Sequence, residues 1–510
     1  MPKLREKGSR KKFIGIAVGL LIIISAIGVY AFQTYVLNHP LVKYAEAEKD
    51  TIERLNNILH KYTGQENMLT DKLLNEKSET DSVIQAKLIV DRKSRLDPMV
   101  SLMLGLLSSS QLHVKQVVDP TTLETAMDAN FKLQGTNLFN FKLYQNEQLT
   151  AIESPLLYKQ PLGIHNSKFG DLLGDADDNL IIEFPNFVEL QQHSMTPKEL
   201  RELYVEYLTY IGNELRNMNF EINENVKLEG NKYTQYSLQM SEEQSKQLFK
   251  QVLTKMQDDE KIESLLYSPI IYEEDFDFIE LLLSELDEMI LPTGIQYNAY
   301  YKDGDVQKRD LSTTITLNDE TLNFNLEIDT ILTRNDEYDF KLNLKVERSN
   351  QSYFFIKYDS SGAPKEKDYE VKRRASFGFE DIFESGTFNL DINTVYKTNR
   401  TETDFTFYAD IMDELFPSLT GDIIQDIHVN DTDAIRWVNL ILSLDMGDLA
   451  DEIYTLDVTI DENIKFGEDV AVPVMEKENI LLIDELDEEQ LNDLATDIED
   501  YLNSYFHQLW

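Results

Sequence analysis

The stretch Phe13 to Phe32, FIGIAVGLLIIISAIGVYAF, passes twenty residues without a charge, and the uncharged run continues to Val42. A helix rises ~1.5 Å per residue, so a run of this length matches the ~30 Å hydrocarbon core of a bilayer. Lys3, Arg5, Lys7, Arg10, Lys11 and Lys12 precede it, with only Glu6 against them. Because basic flanks tend to stay on the cytoplasmic side, the pattern predicts a cytoplasmic tail at 1–12 and a transmembrane helix at 13–36. The expected localisation is the cell membrane, single-pass, with the bulk of the chain extracellular. The competing reading is a cleaved signal peptide, for which Val29-Tyr30-Ala31 offers small residues. Against it, the run exceeds the ~7–15 apolar residues of a signal core, and Leu41 and Val42 follow in place of a polar start.

The 510 residues exceed one ordinary core, and 42% hydrophobic content is enough to bury more than one. The absence of cysteine excludes disulfides, thiol nucleophiles, thiolate metal sites and an acylated start. The net charge is −44; the first twelve residues are basic, which leaves about −49 for the remainder. Such a polyanion repels nucleic acid and anionic headgroups.

Along the chain, Leu41, Tyr44, Ile52, Leu55, Leu59 and Tyr62 mark a juxtamembrane helix, with a polar stalk to about residue 77. Period-two alternation follows at Ile84–Val90, Leu112–Val118, Met127–Leu133, Leu138–Tyr144 and Leu149–Tyr158, an antiparallel meander. Met99 to Leu107 reads as a short apolar helix. Thr196-Pro197-Lys198-Glu199 and Ser241-Glu242-Glu243-Gln244 are capping boxes opening amphipathic helices. A third helix at Phe276–Ile290 ends at Pro292. Alternating segments then resume, with turn signals at Asp303-Gly304, Asn318-Asp319 and Asn335-Asp336. Ser360–Lys367 reads as a long loop and Asp433–Leu444 as an interrupting helix. The expected fold is α+β: an N-terminal transmembrane helix, then two antiparallel-sheet units with packed helices, at 78–292 and 293–484. An amphipathic C-terminal helix at 485–510 completes it.

There is no GxSxG, HExxH or phosphate loop, and the seven histidines are scattered. No catalytic residue, cofactor or metal site is therefore expected, and enzyme activity has no positive support. Asp175, Asp177 and Asn179 alternate as in the start of an EF-hand loop, but Leu180 stands where the turn glycine belongs and Asn186 replaces the bidentate glutamate.

The strand-rich stretch after Ser78 and the run VKLEGNKYTQYSLQMSEEQSKQLFKQVLTKMQDD, Val226 to Asp259, resemble membrane-anchored exported proteins of Gram-positive bacteria. Their texture is similar to LolA/LppX-like lipoproteins. That resemblance implies a curved sheet crossed by helices, with an apolar cleft between them. Two functions stay open: a non-catalytic structural or partner-binding envelope module, or binding and transfer of a lipid or another apolar ligand. In the second, Leu203, Tyr207, Ile211, Leu248 and Val252 would line the cleft. The partners expected are the membrane through the N-terminal helix and a lipid or envelope protein, with no nucleic acid.

Overall fold

A computed structural model describes residues 40–509, apart from 93–104, 106–107, 173–179, 263–269, 273–277, 381–384, 446–451 and shorter breaks. The 13–36 run, the acidic loop at Asp175 and most of the Met99–Leu107 segment lie outside the described residues. Helix α1 (Pro40–Asn75) leads into β1 (Ser78–Arg92), β2 (Ser110–Asp119), β3 (Glu124–Leu133), β4 (Thr136–Gln145), β5 (Leu149–Glu153) and β6 (Leu162–His165). Next come β7 (Leu180–Ile182), α2 (Pro197–Leu215), β8 (Phe220–Leu228), β9 (Asn231–Met240), α3 (Glu242–Gln257), β10 (Ile270–Tyr272) and α4 (Phe278–Leu286). A long meander follows: β11 (Ile295–Lys302), β12 (Asp305–Leu317), β13 (Glu320–Leu332), β14 (Tyr338–Arg348), β15 (Tyr353–Lys365) and β16 (Asp368–Glu380). It continues through β17 (Ser385–Tyr396), β18 (Arg400–Ile411), β19 (Glu414–Leu415), β20 (Ser418–Val429), β21 (Asp433–Asp445) and β22 (Glu452–Phe466). The short β23 (Leu481–Leu482) and α5 (Glu488–Leu509) end the described chain.

The expected division into two sheet units is wrong. All strands but β7 and β10 belong to one 21-stranded sheet. Two seams join the parts: β9 pairs with β11 from Met240↔Ile295 onward, and β1 pairs with β22 along fifteen residues, Ser78↔Phe466 to Arg92↔Glu452. Pairing is antiparallel throughout except between β23 and β6. Among the described residues the two ends of the sheet, β8 and β23, do not pair with each other, so the sheet stays open. Asp433–Leu444 is strand β21, not a helix, and Ser360–Lys367 is mostly strand, with β16 starting at Asp368.

Side chains of a strand alternate between faces, and directly paired residues share a face. Following the registers from Tyr236, Leu238 and Met240 on β9 therefore traces a single surface across the sheet. It runs through Ile295 and Tyr297, Leu311, Phe324, Leu344, Ile356, Phe377, Phe388, Phe407, Leu419, Leu444 and Tyr454 to Val90 on β1. This face is apolar almost throughout, and the opposite face carries most of the charge.

Three helices cover the apolar face over β9 to β14. α3 is fixed by a capping box: Ser241 accepts from the Gln244 N–H, and Gln244 accepts from the Ser241 N–H. α2 starts on the equivalent contacts between Thr196 and Glu199. With α4 they bury Ile211, Leu248, Val252 and Leu286 against Leu238, Met240, Ile295, Tyr297 and Phe324. At ~1.5–3 kcal/mol for each large side chain buried, this is the main stabilising core.

Helix α1 covers a different part of the same face. Its 36 residues span about 54 Å, and it crosses the strands near one of their ends. Arg54 donates to both carboxylate oxygens of Asp305 at 2.7 and 3.0 Å. Ile58 packs with Tyr338, Tyr369, Val371 and Tyr396, and the Tyr62 ring stacks on Tyr369 at 4.5 Å. Leu69 packs with Ile427, Ala434, Ile464 and Phe466. Lys72 donates to the Asp431 carbonyl at 2.9 Å. The stretch read as a juxtamembrane helix and stalk is thus one helix docked along the sheet. Among the described residues no helix is long and apolar enough to cross a membrane.

Candidate functional site

The five residues expected to line a cleft are placed together but form no cleft. Leu203, Tyr207 and Ile211 on α2 and Leu248 and Val252 on α3 are between 0% and 6% exposed and belong to the core under the helices. The Tyr207 hydroxyl donates to Asp259 at 3.0 Å, and burial, then that carboxylate, push its pKa far up. The helix stripes fill the sheet they face, which overturns the reading of a lipid-holding cleft between sheet and helices.

The open space lies elsewhere, under α1. A chamber of about 420 Å³ is bounded by Glu66, Leu69 and Leu73 of α1 and by the apolar face of β16 to β21. Its floor includes Ile392, Ile423 and Ile427, with Thr394, Thr401 and Thr403 nearer the helix. It exists because α1 touches the sheet at separated points. Tyr62 reaches Tyr369, Thr401 Oγ1 donates to Glu66 at 2.7 Å, and the Val429 N–H donates to Gln65 at 2.8 Å. Between these points Ile392, Ile423, Thr394 and Thr403 leave open space below the helix.

Two arginines enter this chamber, and they differ in their partners. Arg436 on β21 faces its directly paired residue on β22, Glu462, and donates to that carboxylate at 2.5 Å. The charge is neutralised within the sheet. Arg373 on β16 donates to the Thr394 hydroxyl at 3.3 Å and to the Tyr396 hydroxyl at 3.1 Å. Among the described residues it forms no ion pair with a carboxylate. Burial opposes its charged form, but hydrogen bonding to Tyr396 and the neighbouring Tyr338 and Tyr358 outweigh this, and its pKa lies above the ordinary arginine value. The charge stays. Its sequence neighbour Arg374 points to the opposite face, where it pairs with Asp391 at 2.5 Å.

The sequence did carry a signal for Arg373. On the apolar face β16 reads Tyr369, Val371, Arg373, Ala375, Phe377, Phe379. A cation at an apolar position of an alternating strand is the oddity that a scan for motifs passes over. Among the described residues there is no group of three or more acidic or histidine side chains able to hold a metal ion.

No family model matches this chain, and no curated protein matches it. Solved structures to which it is similar include OpdQ of Pseudomonas aeruginosa, at 6% identity over 77% of this chain and 98% of that chain, with a TM-score of 0.23. OccK5 (OpdH) of the same organism matches at 6% over 77% and 99%, with 0.23. A BenF-like porin from Pseudomonas fluorescens Pf-5 matches at 7% over 77% and 98%, with 0.25. Superposition this weak carries no argument about what this chain does. Nor does any of it support a single-pass, signal-anchor architecture, and α1 lies on the sheet where a stalk was expected. The expected cell-membrane localisation, the helix-borne membrane attachment, the lipid or envelope-protein partner and the envelope-module function are therefore withdrawn.

Proposed function

We propose that this protein binds a small organic anion in the chamber under α1, with Arg373 receiving the anionic end. One observation carries the reading: a half-buried guanidinium whose hydrogen-bond partners are neutral hydroxyls, in a chamber floored by isoleucines and threonines. Among the described residues its one carboxylate besides Arg436's partner Glu462 is Glu66, which is held by Thr401. Taking a charge out of water costs several kcal/mol unless an opposite charge answers it. In a chain of net charge −44, a carboxylate could have filled this position from many places, as Glu462 does for Arg436. The guanidinium offers five donors in a fixed fork that matches a carboxylate or similar oxyanion, and Thr394 and Tyr396 use two of them. The chamber volume falls in the range of small-molecule sites. The acidic exterior repels anions at a distance, so recognition here is short-range.

Calorimetry with benzoate as the probe tests this. Measurable binding is expected to the unaltered protein, and Arg373→Gln should weaken it about tenfold or more, the size of a lost charge-assisted hydrogen bond. An unchanged urea midpoint would show that the variant is folded. Equal affinity for benzoate in both proteins, or none in either, would overturn the reading.

A further inference from the structure

We infer that the ligand is a hydroxylated acid of the sugar-acid class, a monocarboxylate whose ring carries hydroxyls; this rests on the anion reading above. The walls of the chamber hold more unused hydrogen-bonding capacity than a carboxylate alone can take up. Thr394 is 3% exposed, and its hydroxyl oxygen accepts from Arg373 at 3.3 Å and from Thr403 at 3.1 Å. Among the described residues no acceptor takes the Thr394 hydroxyl proton. Gln425 lines the same chamber, and among the described residues its side-chain amide makes no hydrogen bond. Glu66 of α1 accepts from the Thr401 hydroxyl through Oε1, while its Oε2 has no partner among the described residues.

These groups are set out in a line. Tyr396, Thr401 and Gln425 are successive partners in one row across β17, β18 and β20. Strands lie ~4.8 Å apart, so the row spans roughly 10 Å. At one end Arg373 donates to the Tyr396 hydroxyl, in the middle Thr401 holds Glu66, and Gln425 stands at the other end. A carboxylate seated on the guanidinium therefore brings the rest of its molecule beside a carboxylate oxygen and an amide. A hydroxyl answers both, since it can donate to Glu66 and either donate to or accept from Gln425. An aryl ring or an alkyl chain would take water from these groups and leave them unpaired. Ile392, Ile423 and Leu69 line the space between and suit the C–H face of a sugar ring. Glu66 also sets the charge of the ligand, because a second anionic group beside it is repelled, which disfavours a dicarboxylate.

The test compares glucuronate with cyclohexanecarboxylate, which has the same ring size and charge but no hydroxyls. Calorimetry is run on the unaltered protein, Gln425→Leu and Arg373→Gln, with an unchanged urea midpoint showing that each variant is folded. Glucuronate is expected to bind about tenfold or more tightly than cyclohexanecarboxylate, the size of one or two added hydrogen bonds. Gln425→Leu should weaken glucuronate about three- to tenfold, with a smaller effect on cyclohexanecarboxylate, and Arg373→Gln should weaken both. Cyclohexanecarboxylate binding as tightly as glucuronate, or Gln425→Leu binding glucuronate as well as the unaltered protein, would overturn the hydroxylated class and leave the anion site standing. Both acids binding Arg373→Gln as well as the unaltered protein, or neither acid binding at all, would overturn the anion site itself.

Discussion

Gly294→Ala is expected to destabilise the protein by about 4 kcal/mol or more, among the largest losses a single methyl can cause. Gly294 has φ +59°, where a residue with a Cβ is strained by ~1–2 kcal/mol. Its N–H donates to the Leu291 carbonyl at 2.8 Å, and its carbonyl accepts from the Thr313 hydroxyl at 2.8 Å, so the backbone there is held. An added Cβ would run into the backbone carbonyl of Met240. Met240 ends β9 and pairs with Ile295 at the start of β11, so the collision is relieved only if the seam opens. Urea unfolding followed by circular dichroism measures the effect. A loss below about 1 kcal/mol would mean that β9 and β11 do not approach as described.

Tyr369→Ala is expected to cost about 3–5 kcal/mol, the usual loss for a large aromatic removed from a core. The side chain is fully buried, stacks on Tyr62 of α1 and donates to the Asp336 carbonyl at 2.7 Å. Tyr369→Phe keeps the ring and loses one hydrogen bond, so about 0.5–1.5 kcal/mol is expected. Because the ring is one of the separated points where α1 meets the sheet, Tyr369→Ala should also speed amide exchange in α1 around Tyr62. Exchange there at the unaltered rate would show that α1 is held without this contact.

Much of the local structure was written in the sequence. Capping boxes at Thr196 and Ser241 opened helices where they stood, because a cap is satisfied by residues three positions apart. Alternation also gave the faces of β1, where Ile84, Ala86, Leu88 and Val90 fall on one side, but β16 went unread. Alternation could not give the neighbours. Period two says which face a residue occupies but nothing about which strand lies beside it. The turn at Pro292 looked like a boundary because helices precede it and strands follow. Yet β9, before it, pairs with β11, after it. The β1–β22 seam joins Ser78 to Phe466, a separation that no local pattern records. β21 was misread because Ile435, Trp437 and Ile441 on one face match Val438, Leu440 and Leu442 on the other, which erases the alternation. For the site, the stripes of α2 and α3 were equally compatible with a filled core and a lined cleft. Arg373 was one of 48 basic residues, and only the register shows that the residues beside it on its own face carry no acid.

The most direct test of the anion site is a crystal of the protein grown with 4-bromobenzoate, located by the anomalous scattering of bromine. The account predicts a bromine peak inside the chamber under α1, over Ile392 and Ile423, with the carboxylate on the Arg373 guanidinium. A well-ordered chamber without bromine, or bromine ordered only at another surface of the molecule, would contradict it.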